Sequence, residues 1–97
     1  MTAYLIANYD VVDADGYLDY QSKAAPIMTG GKLLVLDTSS NPKEGEPGHQ
    51  TVVIEYPDRE TAEAAYESDE YQAVVAIRHA ATANGRAVIV EGFVPPS

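Results

Sequence analysis

The residue whose setting most demands a chemical explanation is Arg78. In the segment that follows Ser68, Tyr71, Val74, Val75 and Arg78 fall on one helical stripe, which sets a guanidinium on an apolar face. A charge in such a place needs a carboxylate or carbonyl partner, because burying it alone is costly. Two readings are open. Arg78 is either structural, paired with Glu55 or Glu91 or stretched to the helix edge, or it is an anion clamp for a small acidic substrate. Tyr66 and Tyr71 flank Ser68, and a phenol beside a pocket donates a hydrogen bond to a carbonyl or serves as an acid. A tyrosine at a helix boundary equally well packs its ring and hydrates its hydroxyl. With seven tyrosines, one phenylalanine and no tryptophan, phenols dominate the aromatic chemistry of the chain.

Histidine exchanges protons near neutral pH, so His49, where a long polar loop meets a strand, is a candidate for proton transfer. Asn8 interrupts an apolar strand face, and its amide either orients a ligand or bonds to a neighbouring strand edge. Glu55 and Glu91 sit on strands and are available as partners or as a general base. Ser68 reads as a helix cap rather than a nucleophile, since no Gly-x-Ser-x-Gly setting surrounds it. No His-x-x-x-His or Glu-x-x-His pair offers two ligands from one helix, so no metal is expected. With no phosphate-cradling glycine loop, no cofactor is expected either.

These residues must be positioned by short elements. Residues 3–11 read as a strand with Tyr4, Ile6 and Asn8 on one face and Leu5, Ala7 and Tyr9 on the other. Both faces are largely apolar, so both call for cover. Asp13 caps an amphipathic helix carrying Tyr17, Tyr20, Ala24, Ile27 and Met28, which Pro26 kinks or ends early and Gly30-Gly31 closes. Lys32 to Asp37 is a second strand, and Thr38 to His49 a long loop of the kind that often forms a functional rim. A third strand runs from about Gln50 to Tyr56 and stops at Pro57. Asp58 caps a helix through Tyr66, and Ser68 caps another to about Thr82. Asn84-Gly85 ends that helix, and a fourth strand spans Arg86 to Val94.

The order strand, helix, strand, strand, helix, strand is that of an α+β, ferredoxin-like βαββαβ protomer. Its helices cover one sheet face, and a second copy packed face to face would cover the other. The 97 residues form one domain, and a domain of this size buries only about 60–65% of its unfolded surface. With 45% hydrophobic residues and no cysteine, self-association is the expectation. A net charge of −9 argues against nucleic acid and membrane surfaces as partners. The start of the chain lacks a basic leader and an unbroken apolar run, which places the protein in the cytoplasm.

The chain also resembles the bacterial family known as domain of unknown function 1330, within the dimeric α/β-barrel superfamily. The likeness rests on Ala3-Tyr4-Leu5-Ile6-Ala7, Tyr17-x-x-Tyr20 with Ala25-Pro26, Gly30-Gly31, and Val52-Val53-Ile54-Glu55-Tyr56-Pro57. It continues through Tyr66-x-Ser68-x-Glu70-Tyr71-Gln72, Arg78 and Val90-Glu91-Gly92, and so covers nearly the whole chain. Ala65 stands where the family often has Trp, Asp69 where it often has Pro, and Tyr56 where Phe is common. The resemblance implies a homodimeric α/β barrel. Relatives in the superfamily include cofactor-free oxygenases, isomerases, dehalogenases and haem enzymes, so fold analogy leaves the chemistry open.

The leading expectation is a small-molecule-binding or cofactor-independent enzymatic module acting on a small acidic or carbonyl compound. Arg78 and Asn8 bind the ligand, and His49, Tyr66 and Tyr71 are the catalytic candidates, around an apolar pocket rimmed by the loop from Thr38 to His49. The alternative is a non-catalytic, dimerising accessory protein whose polar residues are all structural.

Overall fold

The computed structural model describes residues 1–28 and 30–96. Its elements are β1 (Ala3–Val11), α1 (Ala14–Ala24), β2 (Lys32–Asp37), β3 (Gln50–Tyr56), α2 (Arg59–Glu67), α3 (Asp69–Ala81) and β4 (Thr82–Glu91). All three helices begin at capping side chains read in the sequence. Asp13 accepts from the Gly16 N–H at 3.1 Å, Asp58 from the Thr61 N–H at 2.7 Å, and Ser68 from the Tyr71 N–H at 3.1 Å. Each cap satisfies an amide that has no partner inside its helix. α1 ends at Ala24, before Pro26, which could not have supplied the next amide.

The four strands form one antiparallel sheet in the order β2-β3-β1-β4. β1 and β2 therefore run the same way with β3 between them, and β3 and β4 do so with β1 between them. Two interlocked crossovers result, the α+β ferredoxin-like arrangement read in the sequence. Along β1, Ala3, Leu5, Ala7 and Tyr9 face the helices and are buried. Tyr4, Ile6 and Asn8 face away. Cross-strand partners share a face, so Ile6 lies beside Val53 and Val88 on this open side, and Val53 beside Val35. Val88 is 54% exposed there.

β4 begins at Thr82, not Arg86, and ends at Glu91, not Val94. The Asn84-Gly85 pair is not a helix stop. Asp10 pairs with Ala83 and Asn8 with Arg86, so β4 carries one extra residue there, accommodated by Asn84 at a φ of 56°. A second irregularity, at Leu34 on β2, sets Leu33 opposite Ile54 but Val35 opposite Val53.

α1 packs on α3 and leaves the helix side of β2 uncovered. Leu33 and Leu36, in register with Ile54 and Val52 on that side, are 56% and 44% exposed. The gap between α1 and the β2–β3 half of the sheet is the entrance to the cavity described next.

Candidate functional site

Arg78, on α3, is only 6% exposed and projects beneath the sheet into a ring of tyrosines. Its Nη1 donates to the Tyr71 hydroxyl at 3.3 Å, and its guanidinium lies 5.2 Å from the Tyr9 ring centroid and 5.6 Å from that of Tyr20. Among the described residues no carboxylate is within ion-pair distance of it. The expected structural partners lie elsewhere: Glu91 pairs with Arg59 at 3.1 Å, and Glu55, opposite Tyr4, lies on the open face of the sheet.

The tyrosines pair among themselves. The Tyr9 and Tyr17 hydroxyls are 2.6 Å apart, and so are those of Tyr20 and Tyr71. The strand alternation delivers Tyr9, the α1 stripe delivers Tyr17 and Tyr20, and the Ser68 cap sets the phase of α3 that delivers Tyr71 and Arg78. With Tyr71 accepting from the cation, the cooperative direction is for Tyr71 to donate to Tyr20. The Tyr20 hydroxyl hydrogen is then left for an external acceptor. Burial pushes the Tyr9 and Tyr71 hydroxyls far above the ordinary phenol pKa, the first helped by its bond to Tyr17 and the second by Tyr20, and Arg78 does not offset the rise. Burial raises Tyr17 and Tyr56 as well. Burial also opposes the Arg78 charge, but the phenols of Tyr71, Tyr20, Tyr9 and Tyr66 outweigh it and raise the guanidinium's pKa. At neutral pH Arg78 is thus a cation beside the protonated phenols of Tyr9, Tyr17 and Tyr71.

This polar cluster is the inner end of a cavity of about 300 Å³ that opens between α1 and β2. Ala7, Ala24, Met28, Val52 and Ile54 line its length, and Gln21, Ala25, Leu33 and Leu36 lie near its mouth. Arg78 and Tyr9 also border a second hollow, of about 330 Å³, walled by His79 and Thr82 to Ala87. At the margin of the tyrosine cluster Gln50, opposite Tyr9 in register, is buried, and its amide nitrogen has no hydrogen-bond partner among the described residues.

Of the residues singled out in the sequence, Arg78 and Tyr71 line the cavity and Tyr66 stands behind them, its ring 5.3 Å from that of Tyr71. Tyr66 borders the second hollow but not the main cavity. Asn8 and His49 belong to another group. The Asn8 amide donates to the Gly48 carbonyl at 3.0 Å, the Gln50 carbonyl at 3.2 Å and the Thr51 hydroxyl at 3.1 Å, and it accepts from the Gly48 N–H at 2.6 Å. The Nε2 of His49 accepts from the Val11 N–H at 3.0 Å while its Nδ1 bonds the Thr38 carbonyl at 3.1 Å, which fits the Nδ1–H tautomer. Both side chains are spent on pinning the loop to the end of β1. No residue from Thr38 to His49 lines the cavity, so the expected rim is not there.

Three walls of the cluster, Tyr9, Tyr17 and Tyr20, read in the sequence as apolar-face positions of β1 and α1. Their signal was present in the excess of tyrosine over phenylalanine on inward-facing positions, where phenylalanine would bury without needing a hydroxyl partner.

Solved structures share this fold. A protein of unknown function from Rhodopseudomonas palustris is 16% identical, with a TM-score of 0.74 over 97% of this chain and 84% of that one. A dimeric ferredoxin-like protein of unknown function from Thermobifida fusca is also 16% identical, with a TM-score of 0.66 over 94% and 91%. The cofactor-independent oxygenase SnoaB from Streptomyces nogalater is 6% identical, with a TM-score of 0.68 over 97% and 95%. No curated protein matches the sequence. Residues 2–93 match the family described as a domain of unknown function, DUF1330, and the chain belongs to that family.

Proposed function

We propose that this protein binds a small acidic or carbonyl compound in the cavity, with the ligand's charged or polarised oxygen on Arg78 and the Tyr20 hydroxyl as a further donor. The observation that carries the reading is a buried guanidinium, free of any carboxylate among the described residues, at the end of an accessible cavity. A ligand oxyanion supplies the partner that the fold withholds. If the protein is an enzyme, donors of this kind stabilise negative charge that develops on a carbonyl oxygen, as in enolate formation. Among the described residues no carboxylate or imidazole lines the cavity, so these walls offer electrostatic stabilisation rather than a general base. Such chemistry is compatible with a cofactor-independent module, the class to which SnoaB belongs by description.

We also infer that two copies pair through the open sheet face, where Ile6, Val35, Val53 and Val88 form an apolar patch. Sedimentation at micromolar concentration tests this directly, and a strictly monomeric species contradicts it. The accessory-protein alternative shares the dimer but leaves the cavity and its unpaired cation without a role. Screening short carboxylates and 1,3-dicarbonyl compounds by thermal shift separates the two. A compound that raises the Tm of the wild type and not of a folded Arg78→Met variant supports binding, and a broad screen with no such compound refutes it.

A further inference from the structure

The length and walls of the cavity say more about the acid than that it has a negative end. We infer that the ligand is an amphipathic monoacid: its head meets Arg78, and an apolar chain or ring runs outward along the cavity to the α1–β2 mouth. The inference rests on the proposed Arg78 anchor and adds the chemistry of the rest of the molecule.

At about 30 Å³ for a water-sized group, a 300 Å³ cavity has room for roughly ten non-hydrogen atoms. A carboxylate head uses three of them, by its own composition. An acetate-sized acid would leave most of the space to water held against Ala7, Ala24, Met28, Val52 and Ile54, walls that offer water few polar partners. Polarity is segregated along the cavity: the cation and four phenols cluster at the buried end, and aliphatic side chains follow. At the mouth, Leu33 and Leu36 point to the helix side of the sheet yet stay largely exposed, because α1 lies over α3 and not over β2. An uncovered apolar edge strand invites aggregation. A ligand chain leaving between α1 and β2 would cover these two leucines. Gln21 and Ala25 on the opposite lip carry no charge that would repel it.

The test is a calorimetric titration with acetate, butanoate, hexanoate and octanoate below their aggregation limits, with octan-1-ol as the uncharged match. The expected result is one site per chain and an affinity that rises about fourfold with each methylene. Octan-1-ol binds far more weakly than octanoate. The exposed position of Leu36 allows a Leu36→Glu variant that folds, in which octanoate binding falls at least tenfold and butanoate binding is little changed. Acids that bind through Arg78 with no dependence on chain length overturn the amphipathic ligand and leave the anchor standing. Octan-1-ol binding as tightly as octanoate, or octanoate binding equally well to Arg78→Met, overturns the anchor and the monoacid together. If Leu36→Glu changes the sedimentation coefficient and leaves octanoate binding intact, the leucines belong to an interface between copies and the inference falls.

Discussion

Replacing Arg78 by methionine is expected to stabilise the unliganded protein while abolishing its affinity for acids. The guanidinium is 6% exposed and has lost nearly all its hydration. Desolvating such an ion costs several kcal/mol even after relaxation of the surroundings. Against this stand one long hydrogen bond to Tyr71 and two cation–π contacts. A hydrogen bond from a charged donor contributes about 1.5–3 kcal/mol, and a partly desolvated cation–π contact about 1 kcal/mol. The stabilising contributions, roughly 4 kcal/mol together, fall just short of the desolvation cost. Methionine retains the apolar stem and has no charge to desolvate. The expected change is a gain of about 1 kcal/mol, read as a Tm higher by roughly 4–8 °C for a domain of this length. Chemical denaturation with an unchanged m-value confirms that the native state is what moved. A loss of more than 2 kcal/mol, by the same measurement, would show that Arg78 has a compensating partner inside the fold and would remove the argument for a ligand.

Alkaline pH should unfold the protein cooperatively. Burial, the largest cause in each case, raises the hydroxyls of Tyr9, Tyr17, Tyr56 and Tyr71 above their unfolded value of 10.0. Above that pH the unfolded chain binds fewer protons than the native one, so stability is intact below pH 10 and falls above it by about 1.4 kcal/mol per pH unit for each phenol. Phenolate absorbance and circular dichroism will change together, whereas smooth phenolate formation in a folded protein contradicts the burial. Tyr56→Phe removes a buried hydroxyl with no partner among the described residues and is expected to leave stability unchanged or raise it by about 1 kcal/mol, and a loss above that in urea denaturation would reveal an acceptor. A Cβ on Gly48 would overlap the Tyr9 carbonyl group, so Gly48→Ala is expected to cost about 2–3 kcal/mol in the same assay, and a neutral result would show that the loop is not clamped against β1.

How much could be read in advance follows from the range of each interaction. Asp13, Asp58 and Ser68 act within three residues of their own position, and all three helix starts were legible. Pro57 stopped β3 for an equally local reason. Arg78 stood out because helical periodicity alone places it on an apolar stripe. The cluster around it did not, because Tyr20 meets Tyr71 across 51 positions of sequence and Tyr9 joins through a strand register. Asn8 reads in the sequence as a ligand-orienting or edge-bonding amide and His49 as a proton-transfer candidate, whereas the structure engages both side chains in hydrogen bonds within the chain. Asn8 bonds the Gly48 backbone in the loop, 40 positions away, and His49 the Val11 N–H at the end of β1, 38 positions away, which no local pattern reveals. Asn84-Gly85 misled because the positive φ that ends a helix also builds a bulge within a strand.

Binding in the cavity requires that an acid reach Arg78. Titration of isotopically labelled protein with hexanoate, followed on the Arg78 Nε–Hε resonance, is the most direct measurement. A ligand seated on Arg78 gives a saturable shift of that resonance at one equivalent per chain, with the Tyr20 and Tyr71 ring signals moving in step. A stationary Arg78 resonance at hexanoate concentrations that perturb only exposed cations such as Lys23 and Arg59 would contradict it.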